Sequence, residues 1–262
     1  MSVDVLSSWV EDELLPLELL SADTYESLSR AYEVEPCGGL KDRMGELLCC
    51  MNKGGKSVPI DPAFSEPGMR AVVEESIKSA MSKWDDDGIY AISLWVTSWD
   101  DNPYEPVVIL GYNTERQVSD TAPKASSECE ARWNFAFWLQ NDELSFGGNL
   151  HKTPGDSPAL VARWVRSIGF PFYTAQEIEI VPDEDIDEVM MEGEKVTKAF
   201  YEVLVNIVQD LHASGFIRQT LGRDVPVIIH DLEYVEGISD YNIRANGDML
   251  PAEFVAFCNG QC

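Results

Sequence analysis

The chain has 262 residues, 45% of them hydrophobic and 10% aromatic, which suits a sizeable buried core and excludes a disordered chain. Its charge is lopsided: 46 Asp and Glu face 19 Lys and Arg, a formal net of −27 spread over the whole length. Such a field repels nucleic-acid phosphates and anionic headgroups and speeds encounter with cationic proteins, although it serves plain solubility as well.

In chain order, Met1 to Glu13 has no basic region followed by an apolar run, so no signal peptide is expected. No stretch of about 18 apolar residues occurs anywhere, so no membrane-spanning helix and no membrane partner are expected. Residues 1–62 read as a helical N-terminal extension. Val5, Trp9, Val10, Leu14, Leu17 and Leu20 keep helical spacing, Pro16 divides the segment, and 21–34 and 40–51 form two short helices. Residues 52–62, with Gly54, Gly55, Pro59 and Pro62, form a linker. The remaining residues, 63–262, read as one α+β domain.

That domain opens on a helix over 66–84, with Val72, Val73, Ile77, Ala80, Met81 and Trp84 on its apolar face. Asp85, Asp86, Asp87 and Gly88 turn the chain into a strand over 89–99, rich in β-branched and aromatic residues. A turn at Asp100–Pro103 leads to a second strand over 106–112, and the short connection predicts an antiparallel pair. The apolar run 133–139 fits strand or helix equally. Helices are expected over 157–168, 195–214 and 251–258. Residues 225–232 read as a strand, placed by Pro226 at an edge or a strand start. The expected fold class is therefore α+β: an antiparallel-containing sheet packed with helices, preceded by the N-terminal helical extension.

The helix, the strand Ile89-Tyr-Ala-Ile-Ser-Leu, the strand closing on Leu110-Gly-Tyr-Asn-Thr-Glu115 and the segment Arg132-Trp-Asn-Phe-Ala-Phe-Trp138 follow in order. Over about residues 66–260 this order resembles a mostly bacterial family known only as domain of unknown function 4303. The resemblance implies a bacterial protein without an assigned activity, with the N-terminal helices as an addition.

The motifs that could carry chemistry have plainer readings. Gly55-Lys56-Ser57 lacks the earlier glycine, preceding strand and following helix of a phosphate-binding loop. Asp183, Asp185, Asp187 and Glu194 match a calcium-loop register, but Glu188 occupies the position where the loop needs glycine. A helix start after Pro182 explains these acids better, because early carboxylates complement the helix dipole. The aspartates at 85–87 and 100–101 are turn residues. No GxSxG elbow supports a serine nucleophile. Structural roles are expected of His212, at a helix end, and His230, at a strand end; His151 has none assigned. The cysteines at 37, 49, 50, 129, 258 and 262 show no CxxC spacing, and reduced thiols in a cytoplasmic protein are expected. Trp95, Trp99, Trp133 and Trp138 suit either core or a binding surface.

From 177 to 194 the chain carries nine acids and no base: Glu177, Glu179, Asp183, Glu184, Asp185, Asp187, Glu188, Glu192 and Glu194. This is the densest negative patch available to a cationic partner. The expectation is a non-enzymatic, acidic protein-binding module for a basic protein, such as an immunity-type inhibitor of a basic toxin or effector. Neither cofactor, metal nor nucleic acid is expected. Two alternatives stay open: an enzyme or small-molecule binder with a pocket of Trp and carboxylate side chains, and a DNA mimic.

Overall fold

A computed structural model describes residues 66–85, 88–150, 152–232 and 237–261. The N-terminal helices, the 52–62 linker with Gly55-Lys56-Ser57, Asp86, Asp87, His151 and four of the cysteines (37, 49, 50 and 262) lie outside the described residues.

Helix α1, Glu66–Met81, buries Met69, Val73, Ile77, Ala80 and Met81 at helical spacing. Val72 points to solvent instead, 47% exposed. The helix stops before Trp84, where Lys83 N–H reaches Ala80 O and tightens the last turn. Strands β1, Ile89–Ser98, and β2, Pro106–Thr114, lie side by side. Two further strands, β3 at Leu144–Gly147 and β4 at Val227–His230, complete a mixed sheet in the order β3-β2-β1-β4. β4 pairs with β1 in parallel, Ile92 opposite Val227 and Trp95 opposite His230. As Pro226 suggested, β4 is an edge strand.

After β2 come α2, Glu115–Thr121, and α3, Glu128–Trp133, whose N-caps Thr114 and Ser127 accept from Gln117 N–H and Glu130 N–H. The ambiguous run at 133–139 forms no strand. Asn134 ends α3 and accepts from Ala136 N–H, starting a 3₁₀ turn over Phe135–Phe137. The remaining helices are α4 (Ser157–Ser167), α5 (Ala175–Glu179), α6 (Asp183–Ala213), α7 (Phe216–Leu221), α8 (Ile238–Asn246) and α9 (Ala252–Cys258). α6 begins twelve residues before the expected position. Its buried residues Val189, Gly193, Val196, Phe200, Leu204, Ile207 and Leu211 keep one stripe through the acidic stretch, and the acids favour the positive helix end. The α+β expectation holds, with a mixed rather than a simply paired sheet.

The described residues fall into two compact units. One comprises Ser98–Pro106 and Gly147–Thr197; the other comprises Pro67–Thr97, Val107–Phe146 and the chain from Lys198 on. In the second, Ala91, Trp133, Phe135, Trp138, Ile228 and Phe254 form an aromatic core. Trp133 meets Tyr90 and Phe254 edge-on at 5.6 and 5.5 Å, an arrangement that suits aromatic quadrupoles. Trp133 and Trp138 are therefore core residues.

The outer edge of β4 is closed by side chains. Ile92 N–H bonds Pro226 O on the β1 side, so Val227 and Ile229 turn their backbone groups outward. Asn246 Oδ1 accepts from Val227 N–H at 2.8 Å while its Nδ2 donates to Val227 O at 2.8 Å. Asn242 does the same for Ile229, at 2.8 and 2.7 Å. Two amides one helical turn apart thus imitate a neighbouring strand and leave that edge unavailable for pairing.

One cysteine expectation is corrected. Cys129 is disulfide-bonded, whereas Cys258 is a free thiol that burial pushes up to about 11. Spacing along the chain says nothing about sulfurs that meet across a fold. No helix among the described residues is long and apolar enough to cross a membrane.

Candidate partner interface

The acidic segment lies on two helices of the first unit. Thr174 and Glu177 form a capping box at α5: Glu177 Oε2 accepts from Thr174 N–H at 2.7 Å and from its hydroxyl at 2.9 Å. Glu177 is only 2% exposed, so its carboxylate serves the cap and not a partner. Glu179, Asp183, Glu184, Asp187, Glu188 and Glu194 are exposed; Asp185 and Glu192 are half-buried.

On α6, Glu184, Asp187, Glu188, Met191 and Glu194 each lie three or four residues from another member of the set, so they share one outward face. Met191 sits among these acids 65% exposed, a soft apolar group framed by negative charge. Because residues 183–194 are helical, they do not coil around an ion in the calcium-loop manner. Among the described residues no group of three or more His, Cys, Asp or Glu is placed to hold a metal.

The inner face of the same turns holds the β1–β2 hairpin tip. Tyr104 hydroxyl donates to Val189 O at 2.7 Å and Thr197 hydroxyl to Pro103 O at 3.3 Å. A Cβ at Gly193 would fall 2.4 Å from Pro103 Cγ, so only glycine allows this approach. Behind the tip, Asn102, Tyr104 and Glu105 are buried. The Glu105 carboxylate accepts from Leu150 N–H at 3.1 Å and from the amides of Asn102 and Asn149, each at 3.3 Å. Burial raises its pKa to about 7 against these donors, and nearby Glu177 pushes the same way. At the apex, Trp99 is 36% exposed, and Asp100 and Asp101 both take the left-handed conformation, φ 48° and 58°. Aspartate tolerates that region better than most residues, and Asn102 N–H to Trp99 O, 2.9 Å, closes the turn.

The second unit contains the geometry nearest to an active site. Ser93 Oγ lies 2.8 Å from His230 Nε2, and His230 Nδ1 lies 2.9 Å from Asp231 O. A carbonyl only accepts, so the proton sits on Nδ1 and Nε2 takes the serine hydrogen. That is the ground state of a nucleophile–base pair, but three observations argue for a core contact. The orienting group is a carbonyl and not a carboxylate. Burial between Phe135 and Trp138 lowers the imidazole to about 4, a weak base at neutral pH. Finally, the cleft bounded by Ser93, Trp95, Phe135 and Trp138 has room for one water at most. His212, at the end of α6, bonds Asn246 Oδ1 at 3.1 Å, a structural role as expected.

Arginines in this unit pair repeatedly with one aromatic ring and one carboxylate. Arg132 stacks 4.6 Å over Tyr90 and forks Glu115 at 3.0 and 2.7 Å. Arg244 lies 5.1 Å over Tyr241 and forks Glu202 at 2.9 and 2.7 Å. The buried polar groups, Glu105 and the Ser93–His230 pair, escaped the sequence reading because their partners are distant in the chain. The Thr174-x-x-Glu177 signature could have revealed the buried member of the acidic run.

No family model matches the chain, and no curated protein or solved structure matches it either.

Proposed function

We propose that the chain is a non-enzymatic module that binds a basic protein through the outer face of α6. The reading rests on one observation: Glu184, Asp187, Glu188 and Glu194 surround the exposed Met191 on a helix whose inner face is engaged by the hairpin tip. A partner with lysines and arginines around an apolar spot matches this face in charge and polarity. The net charge of −27 adds long-range attraction and works against nucleic acid as the partner. An immunity-type inhibitor that masks a basic toxin or effector is one protein of this kind. Within that reading the module works in the cytoplasm.

The test compares two quadruple variants of the full chain, with acetyl-hexalysine amide as the probe. In the first, Glu184→Gln, Asp187→Asn, Glu188→Gln and Glu194→Gln neutralise the face. In the second, Glu75→Gln, Glu128→Gln, Asp142→Asn and Asp248→Asn remove equal charge from exposed sites elsewhere. Calorimetry at low salt is expected to show about tenfold weaker binding for the first, from four pairs of a few tenths of a kcal/mol each. The second should change far less. Equal losses in both would make the charge a solubility feature.

A further inference from the structure

We propose that Trp99, Asp100 and Asp101 form a receptor for an arginine side chain of the basic partner. This deepens the reading above and depends on it. Twice in this molecule an arginine lies over an aromatic ring while its fork grips a carboxylate: Arg132 with Tyr90 and Glu115, and Arg244 with Tyr241 and Glu202. The hairpin tip presents the same ingredients, an exposed indole and two carboxylates on one three-residue turn. None of the described lysines or arginines pairs with them.

Arginine fits this site better than lysine, because a planar guanidinium stacks on an indole while its N–H groups reach a carboxylate. The tip is also held ready. Asn102 Nδ2 donates to Tyr173 O at 2.7 Å, Asn102 Oδ1 accepts from Tyr104 N–H at 3.0 Å, and Trp99 N–H donates to Glu105 O at 3.2 Å. A rigid aromatic anchor loses little entropy when a partner closes on it, which is why Trp and Arg dominate binding hot spots. Tip and acidic face belong to one unit, and the tip is fastened to the inner side of α6 at Val189 and Gly193.

Acetyl-hexaarginine amide and acetyl-hexalysine amide are the probes, titrated into the full chain and into Trp99→Ala, Trp99→Phe and Asp100→Asn/Asp101→Asn. The wild-type chain is expected to prefer the arginine peptide by about fivefold, from one cation–π contact plus a forked pair. Trp99→Ala should erase that preference while leaving lysine-peptide binding unchanged. Trp99→Phe should retain part of it, and the double Asn variant should reduce it. Equal affinity of Trp99→Ala and wild type for hexaarginine overturns the receptor and leaves the α6 face standing. Absence of binding of either peptide to wild type overturns both.

Discussion

Asn242→Ala is expected to lower the unfolding free energy by about 4 kcal/mol, since each buried backbone group left unsatisfied costs about 1–3 kcal/mol. The residue is fully buried, and its amide serves both backbone groups of Ile229 while Nδ2 also donates to Ile238 O at 2.9 Å. Alanine removes a donor and an acceptor from a place water does not reach, so Ile229 N–H and C=O lose their partners together. Urea denaturation measures the effect. A loss below about 1 kcal/mol would show that the amide ladder merely decorates the edge.

A second large effect is a pH dependence centred on Glu105. Its folded pKa of about 7 stands above the ordinary 4.5, so between these values the folded chain holds a proton that the unfolded chain has released. The contribution to stability is complete below pH 4.5 and is lost as pH rises to about 7. The difference amounts to about 3 kcal/mol, from roughly 1.4 kcal/mol per pKa unit. Repulsion among the chain's many carboxylates has the same sign, so the wild-type profile alone does not isolate the group. Glu105→Gln does: the difference between the wild-type and variant stability curves should slope through the window and flatten above it. A constant difference across that range would mean that Glu105 ionises at an ordinary pH, with its N–H donors outweighing burial.

Much of the fold was legible because periodicity and turn chemistry agree locally. β-branched and aromatic residues mark β1 and β2, and the aspartates at 100 and 101 mark the turn between them. β3 has four residues and α5 five, too short for any period to register. α8 went unread although Asn242 and Asn246 stand four apart, since an i, i+4 amide pair acquires meaning only beside an edge strand. The acidic run was plain in the sequence. Its division into a buried cap residue and an exposed stripe needed the helix register. Ser93 and His230 lie 137 residues apart, and only the parallel pairing of β1 with β4 brings them together. Trp99 was visible as a tryptophan; the buried Asn102, Tyr104 and Glu105 that make its turn rigid were not.

The central claim concerns where a cation lands. Backbone and indole NMR shifts of the isotope-labelled full chain, followed during titration with acetyl-hexaarginine amide, address it directly. The largest perturbations are expected along Asp183–Glu194 and at the Trp99 indole, shrinking together as salt is added. Shifts scattered evenly over both units, or concentrated around α2, α3 and α9, would contradict it.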